Sequence, residues 1–109
     1  MNICFKEGVS IAGLKDKIFQ AIFATAQVFD SKQLILTVTS TTEYHPERKK
    51  DSFHYEGKAF DIRTRRIPEK IQIQLVEKLR QALLPIDRNF QVVLKKDHIH
   101  IELDDRSKI

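Results

Sequence analysis

Along the first third of the chain, apolar residues fall at Ile11, Leu14, Ile18, Ala21, Ile22, Ala26 and Phe29, the three-and-four spacing of an amphipathic helix. Lys15, Asp16, Lys17 and Gln27 lie mostly off that stripe, while Phe19 and Phe23 widen it, so this helix is expected to pack on more than one side. Ser10 offers a side-chain N-cap before it, and the polar residues 30–33 end it. Residues 34–39 (LILTVT) are apolar and β-branched and predict a buried strand. A polar loop holding Pro46 runs from Ser40 to Ser52, and a strand pattern resumes over residues 58–63 (KAFDIR). Pro68 and Glu69 suit the start of a second helix, in which Ile71, Leu75, Leu79 and Leu83 recur every four residues with Val76 and Ala82 beside them. That helix is expected to end near Pro85. Residues 90–94 (FQVVL) and 98–103 (HIHIEL), separated by Lys95, Lys96 and Asp97, read as an antiparallel hairpin. Residues 2–5 form a further short strand candidate, and Asp104 to Ile109 a polar tail expected to fray.

This order, with no internal repeat, predicts an α+β fold: a small, mostly antiparallel sheet with helices packed on one face. A length of 109 residues suits one domain spanning 1–109. The lone Cys4 excludes an intrachain disulfide, and its position on an apolar strand predicts a small core residue. Lys and Arg number 19 against 15 Asp and Glu, a net charge of +4 with His neutral. So mild an excess favours approach to polyanions without specifying one. The short basic clusters at 48–50 and 63–66 read as solvated loops. No nucleic-acid partner is expected, because the chain lacks the aromatic platform of an RNA-binding sheet. No membrane association is expected either: the best apolar stretch, residues 11–29, is interrupted by Lys15, Asp16, Lys17 and Gln20. The first residues lack the pattern of a signal peptide, so the chain is expected to be cytoplasmic as synthesised and to act as a monomer.

Three of the four histidines lie in two short stretches, residues 52–61 and 97–100. Residues at even offsets in a strand share a face. His98 and His100 therefore point one way, and Ile99 and Ile101 the other, toward the core. His54 and Asp61 stand at an odd offset, which would separate them on one continuous strand. A turn near Glu56 and Gly57 would let both face one point, and glycine tolerates the backbone angles of such a turn. Two imidazole nitrogens and a carboxylate oxygen suit Zn2+, and three protein ligands leave a fourth position for water, the layout of a catalytic site. Zinc lowers the pKa of such a water to about 7. A second carboxylate that is not a ligand can take the proton. Asp97, three residues before His100, is the best placed, ahead of Glu56 and Glu102. Taken singly, each histidine reads as an ordinary surface residue, and no His-x3-His or paired-cysteine zinc spacing is present.

The same residues carry a family resemblance. Residues 52–61 (SFHYEGKAFD) resemble the S-x-H-x-x-G-x-A-x-D motif of the M15-type zinc peptidases. That group includes D-alanyl-D-alanine carboxypeptidases and the L-alanyl-D-glutamate peptidases used as phage endolysins. Residues 54–62 are also similar to the Hedgehog signalling domain, which shares that fold and zinc site. Residues 97–100 (DHIH) resemble the second motif, a carboxylate three residues before the last zinc ligand. The resemblance spans roughly Ser40 to Glu102, with a helix between the motifs. It implies zinc ligands at His54, Asp61 and His100, and a general base at Asp97 that activates water and later protonates the leaving amine. Many members have Glu at that place, and some phage enzymes have Asp. By the same resemblance His98 flanks the metal and stabilises the oxyanion or binds substrate. His45 matches a histidine upstream of the first motif in the Hedgehog-like branch, and Ser52 hydrogen-bonds within the site. The upstream arginine with which the carboxypeptidases bind substrate has no direct counterpart, and Arg48 and Arg63 are the candidates to replace it. The implied activity is hydrolysis of short peptide bonds next to D-amino acids in peptidoglycan stem peptides, in a phage-encoded chain that reaches the cell wall once released. The alternative is a non-catalytic, zinc-stabilised binding module of Hedgehog-like fold.

Overall fold

Ile99, Ile101 and Leu103 alternate with His98, His100 and Glu102 along the last strand, and the two sets face opposite ways. The three apolar residues are buried in the core, whereas the polar three are only partly covered. A computed structural model describes residues 2–106. Its elements are β1 (Ile3–Phe5), α1 (Asp16–Ser31), β2 (Leu36–Ser40), β3 (Ala59–Arg63), α2 (Glu69–Leu83), β4 (Phe90–Leu94) and β5 (His98–Leu103). The strands form one sheet in the order β1-β2-β3-β5-β4. Only the β1–β2 pair is parallel, and the others are antiparallel. This is the α+β architecture expected from the pattern of the chain.

The helices bury the stripes that define them. Ile18, Ala21, Ile22, Ala26 and Phe29 of α1 meet Leu75, Val76, Leu79 and Leu83 of α2 and the inner face of the sheet in one core. Thr25 also lies inside, its hydroxyl donating to the Ala21 carbonyl one turn back at 2.7 Å. Burying a side chain the size of Ile or Leu contributes about 1.5–3 kcal/mol. Slipping β5 by one residue would exchange Ile99 and Ile101 for His98 and His100 in that core. Packing on one face of the sheet thus holds the histidines on the other.

Three local readings change. Helix α1 begins at Asp16 rather than just after Ser10, and Lys15 stands at its N-cap without a side-chain bond. Gly13, at φ +79°, takes a left-handed conformation that a helix cannot continue through. The Ser10 hydroxyl instead accepts the Ala12 N–H in a local turn at 3.2 Å. Cys4 is exposed and not a core residue, because three-residue β1 is an edge strand with little packed against it. Strand β2 begins at Leu36, two residues later than the apolar run. Gln33, at φ +57°, turns the chain out of α1 and leaves Ile35 67% exposed. Of the tail expected from Asp104 onward, residues 107–109 lie outside the described residues. Among the described residues, no helix is long and apolar enough to cross a membrane.

Candidate metal centre

Strand register brings the first two groups together. On the antiparallel β3–β5 ladder Asp61 lies directly opposite His100, Arg63 opposite His98, and Ala59 opposite Glu102. Phe60 and Ile62, on either side of Asp61, are fully buried, so the carboxylate is turned to the histidine face. His54 arrives from a tight turn before β3. In it Tyr55 N–H donates to the Ser52 carbonyl at 3.0 Å, Gly57 N–H to His54 at 3.1 Å and Lys58 N–H to Phe53 at 2.9 Å. Gly57 has φ +74°, and a Cβ on it would stand 2.0 Å from the Gly13 carbonyl oxygen. The turn is therefore docked on the segment before α1, where Lys15 N–H donates to the Gly57 carbonyl at 3.0 Å. This docking removes the odd offset between His54 and Asp61.

The three side chains converge. One ligand atom each from His54, Asp61 and His100 lie within 4.8 Å of one another. Nδ1–H of His54, a residue only 5% exposed, donates to the Thr41 carbonyl at 2.8 Å. A carbonyl can only accept, so Nδ1 carries a proton and Nε2 is the nitrogen turned toward Asp61 Oδ1, 3.3 Å away. His100 bonds Asp61 Oδ1 through Nδ1 at 2.8 Å and Glu102 Oε1 through Nε2 at 2.7 Å, so a cation beside Asp61 would take the place of the proton on Nδ1. Burial alone would raise the Asp61 carboxyl, but hydrogen bonds from His100 and His54 outweigh it and hold the group far below the usual carboxylate range. Burial would likewise lower the His100 imidazole, and the carboxylates of Asp61 and Glu102 outweigh that and raise it. Ligand bonds of about 2.0 Å in a tetrahedral site set donor atoms about 3.3 Å apart. The His54–Asp61 separation of 3.3 Å matches that value and all three donor atoms lie within 4.8 Å, so His54, Asp61 and His100 form a group close enough to hold a metal ion. The carbonyl of Thr41 and the carboxylate of Glu102 supply the outer hydrogen bonds that orient ligating imidazoles.

The remaining sequence candidates lie around this group. His98 Nε2 is 3.8 Å from Asp61 Oδ2, and its Nδ1–H donates to Asp97 Oδ1 at 2.7 Å. The Asp97 side chain is 87% exposed, and the His98 hydrogen bond holds its carboxyl below the ordinary range. Ser52 Oγ accepts the His54 N–H at 3.2 Å. His45 lies outside the cluster. Its Nε2 is 2.9 Å from Glu43, and the Tyr55 hydroxyl bonds both its carbonyl and its N–H. Arg48 donates to the Glu43 carbonyl at 2.9 Å and to the Ser40 hydroxyl, and its guanidinium stands 5.3 Å from the centre of the Tyr55 ring. Much of its donor fork is thus engaged within the loop. Arg63 ends β3 and lines a cleft beside Asp61 and His98.

Two residues that organise the site carry little local signal. Glu43 sits in the loop as a hub, accepting from the N–H groups of Thr41 and Ser10 at 2.9 and 3.2 Å and from the Ser40 hydroxyl. Burial would raise its carboxyl; Ser40, the Thr41 N–H and His45 outweigh this and lower it to about 2. By these bonds Glu43 fixes residue 41, whose carbonyl orients His54. Glu102 is the other, and its one signal is the even offset from His100 along β5. No protein-family model matches the chain, and no curated protein matches it in sequence.

Proposed function

We propose that this protein is a zinc-dependent metallopeptidase that hydrolyses short peptide bonds next to D-amino acids in peptidoglycan stem peptides. It would be phage-encoded, acting on the cell wall once released. The observation that carries this reading is the convergence of His54, Asp61 and His100, drawn from two segments far apart in the chain. Those are the positions at which residues 52–61 and 97–100 resemble the ligand motifs of the zinc peptidases.

Two imidazoles and one carboxylate match Zn2+, and three protein donors leave a fourth position open. A bound zinc supplies Lewis acidity and brings the pKa of a water molecule to about 7. The chain's own residues do the rest. Thr41 and Glu102 orient the rings of His54 and His100, through Nδ1 of the first and Nε2 of the second. Asp97 holds Nδ1–H of His98, which turns Nε2 of that ring toward Asp61. Asp97 accepts the proton of the attacking water and later delivers it to the leaving amine, and His98 steadies the charge that develops on the carbonyl oxygen.

Elemental analysis tests the first half. The wild type should carry about one zinc per chain and His54→Ala almost none. Incubation with purified stem peptides tests the second. Asp97→Ala should lose hydrolysis while keeping its zinc and its fold, and normal activity in that variant would refute the assignment of the base.

One observation favours a second reading. The Asp97 carboxylate points to solvent and to His98, and makes no ion pair with His54 or His100. A zinc-stabilised binding module would have no need of a base. Such a module would bind zinc as the wild type does and leave every stem peptide intact.

A further inference from the structure

Where β2 begins and β3 ends, the surface holds a cleft of about 420 Å3. It shares no residue with the His54–Asp61–His100 group. One wall is Arg63, Arg65 and Arg66, and the other is Leu34, Ile35 and Ile67. Thr37 adds a hydroxyl, standing between Leu36 and Val38, which are fully buried on the opposite face of β2. The volume falls in the range of small-ligand sites, about 300–1,000 Å3.

The backbone is strained toward this place. Among the described residues only two that are not glycine take a left-handed φ, Gln33 at +57° and Arg66 at +72°, and both line the cleft. That conformation is unfavourable for a residue with a Cβ, and residues held in it gather at ligand sites. Residues 64–67 form a turn in which the Ile67 N–H donates to the Thr64 carbonyl at 2.9 Å. A positive φ at the third residue of such a turn favours glycine, yet Arg66 stands there. The Gln72 amide braces the turn, donating to the Ile67 carbonyl at 2.7 Å and to the Thr64 carbonyl at 3.4 Å. The basic cluster that reads in sequence as a solvated loop is thus a fixed corner presenting two arginines.

The charge here is of one sign. No acid lines the cleft, and none of the three arginines makes a hydrogen bond or ion pair among the described residues. Asp30 lines the hollow that shares Gln33, Leu34 and Ile35 with this cleft, but not the cleft itself. Arg63 and Arg65 also border the larger cleft beside Asp61, whereas Arg66 does not. A guanidinium fork matches carboxylate and phosphate oxygens alike. A carboxylate brings one charge and two oxygens. A phosphate monoester brings roughly 1.5–2 charges and three acceptor oxygens, the better match to three guanidiniums. Beside them Ile35 is 67% exposed, a large apolar side chain that an aliphatic group on the phosphate would cover.

We propose that this cleft binds a phosphate monoester with an apolar substituent. The phosphate lies on Arg63, Arg65 and Arg66, and the apolar part on Leu34, Ile35 and Ile67. Such an ester is met free in solution or as an anionic lipid headgroup, and the recognition chemistry is the same. The site does not depend on the metallopeptidase reading.

Titration with hexyl phosphate, followed through backbone amide shifts, tests it. Shifts should centre on Thr37, Arg66 and Ile67 and be the same with and without a chelator. Inorganic phosphate lacks the apolar part and heptanoate lacks the charge, so each should bind at least tenfold more weakly. Arg66→Gly suits the left-handed backbone and should be at least as stable as the wild type, yet bind hexyl phosphate at least tenfold more weakly. Ile35→Ser should bring hexyl phosphate down to the affinity of inorganic phosphate. Unchanged affinity in either variant, shifts centred on His54 and His100, or loss of binding with chelator would overturn the proposal. Cosedimentation separates the two sources. For a lipid headgroup, the wild type but not Arg66→Gly should pellet with phosphatidylcholine vesicles that contain phosphatidic acid, and neither with phosphatidylcholine alone. A protein that binds hexyl phosphate and stays in the supernatant takes its ester from solution.

Discussion

Gly57→Ala isolates the contact that delivers His54 to the cluster. The left-handed φ of +74° costs an L-residue roughly 1–2 kcal/mol. Alanine also reduces the freedom of the unfolded chain, which returns about 0.4–1 kcal/mol. The added Cβ would stand 2.0 Å from the Gly13 carbonyl oxygen and 2.9 Å from its carbon, both rigid backbone atoms. Forcing extra volume into a packed contact typically costs about 1–3 kcal/mol. The expected loss is about 2–4 kcal/mol, a large share of the roughly 5–15 kcal/mol that holds a domain folded. Gly8→Ala is the control: Gly8 has φ +90° but no atom within 4 Å of the place a Cβ would take, so only the backbone strain of about 1 kcal/mol remains. Urea unfolding of both variants, at unchanged slope, gives the difference directly. Gly57→Ala should also bind zinc at least tenfold more weakly, because the turn that moves carries His54 of the candidate metal group. Equal destabilisation of the two variants, within about 0.5 kcal/mol, would show that the Gly13–Gly57 approach does not hold the turn.

Further expectations concern the shell around the ligands. Glu102→Ala frees one nitrogen of His100 and should weaken zinc binding about 10–100-fold in a chelator competition; unchanged affinity would remove Glu102 from the site. Glu43 is lowered from 4.5 to about 2, so it favours the folded state above its unfolded pKa, and that contribution disappears as pH falls toward 2. At about 1.4 kcal/mol per unit, reduced for solvent screening, the wild type should lose about 2 kcal/mol more than Glu43→Gln between pH 5 and pH 2. Parallel pH–stability curves would refute that role. Free zinc at a hundredfold excess over Kd should stabilise the wild type by about 2.7 kcal/mol, and His54→Ala by almost nothing, as read from unfolding midpoints with and without chelator. Ile101→Ala should cost about 2–5 kcal/mol without abolishing zinc binding, since its side chain lies in the core on the opposite face from His100.

What the amino-acid pattern determined by itself is local and periodic. Alternation of Ile and His over residues 98–101 decides which face of β5 is buried, because a period of two is a property of any strand. The stripes of α1 and α2 are equally legible, as is a turn at Gly57, where one residue type tolerates the required backbone. The start of α1 was not legible, because Gly13 stops the helix while its carbonyl packs against the distant Gly57. Nor was the exposure of Cys4, which depends on β1 being an edge. Arg48 shows the same limit: its charge is visible in the sequence, its bonds to Ser40 and Glu43 are not. Tertiary structure alone decided that Asp61 stands opposite His100 and that the Thr41 carbonyl aims His54 at both. The physical reason is range. Helix and strand periodicity is set by neighbours a few residues away, whereas strand register and loop docking are set by packing between segments tens of residues apart.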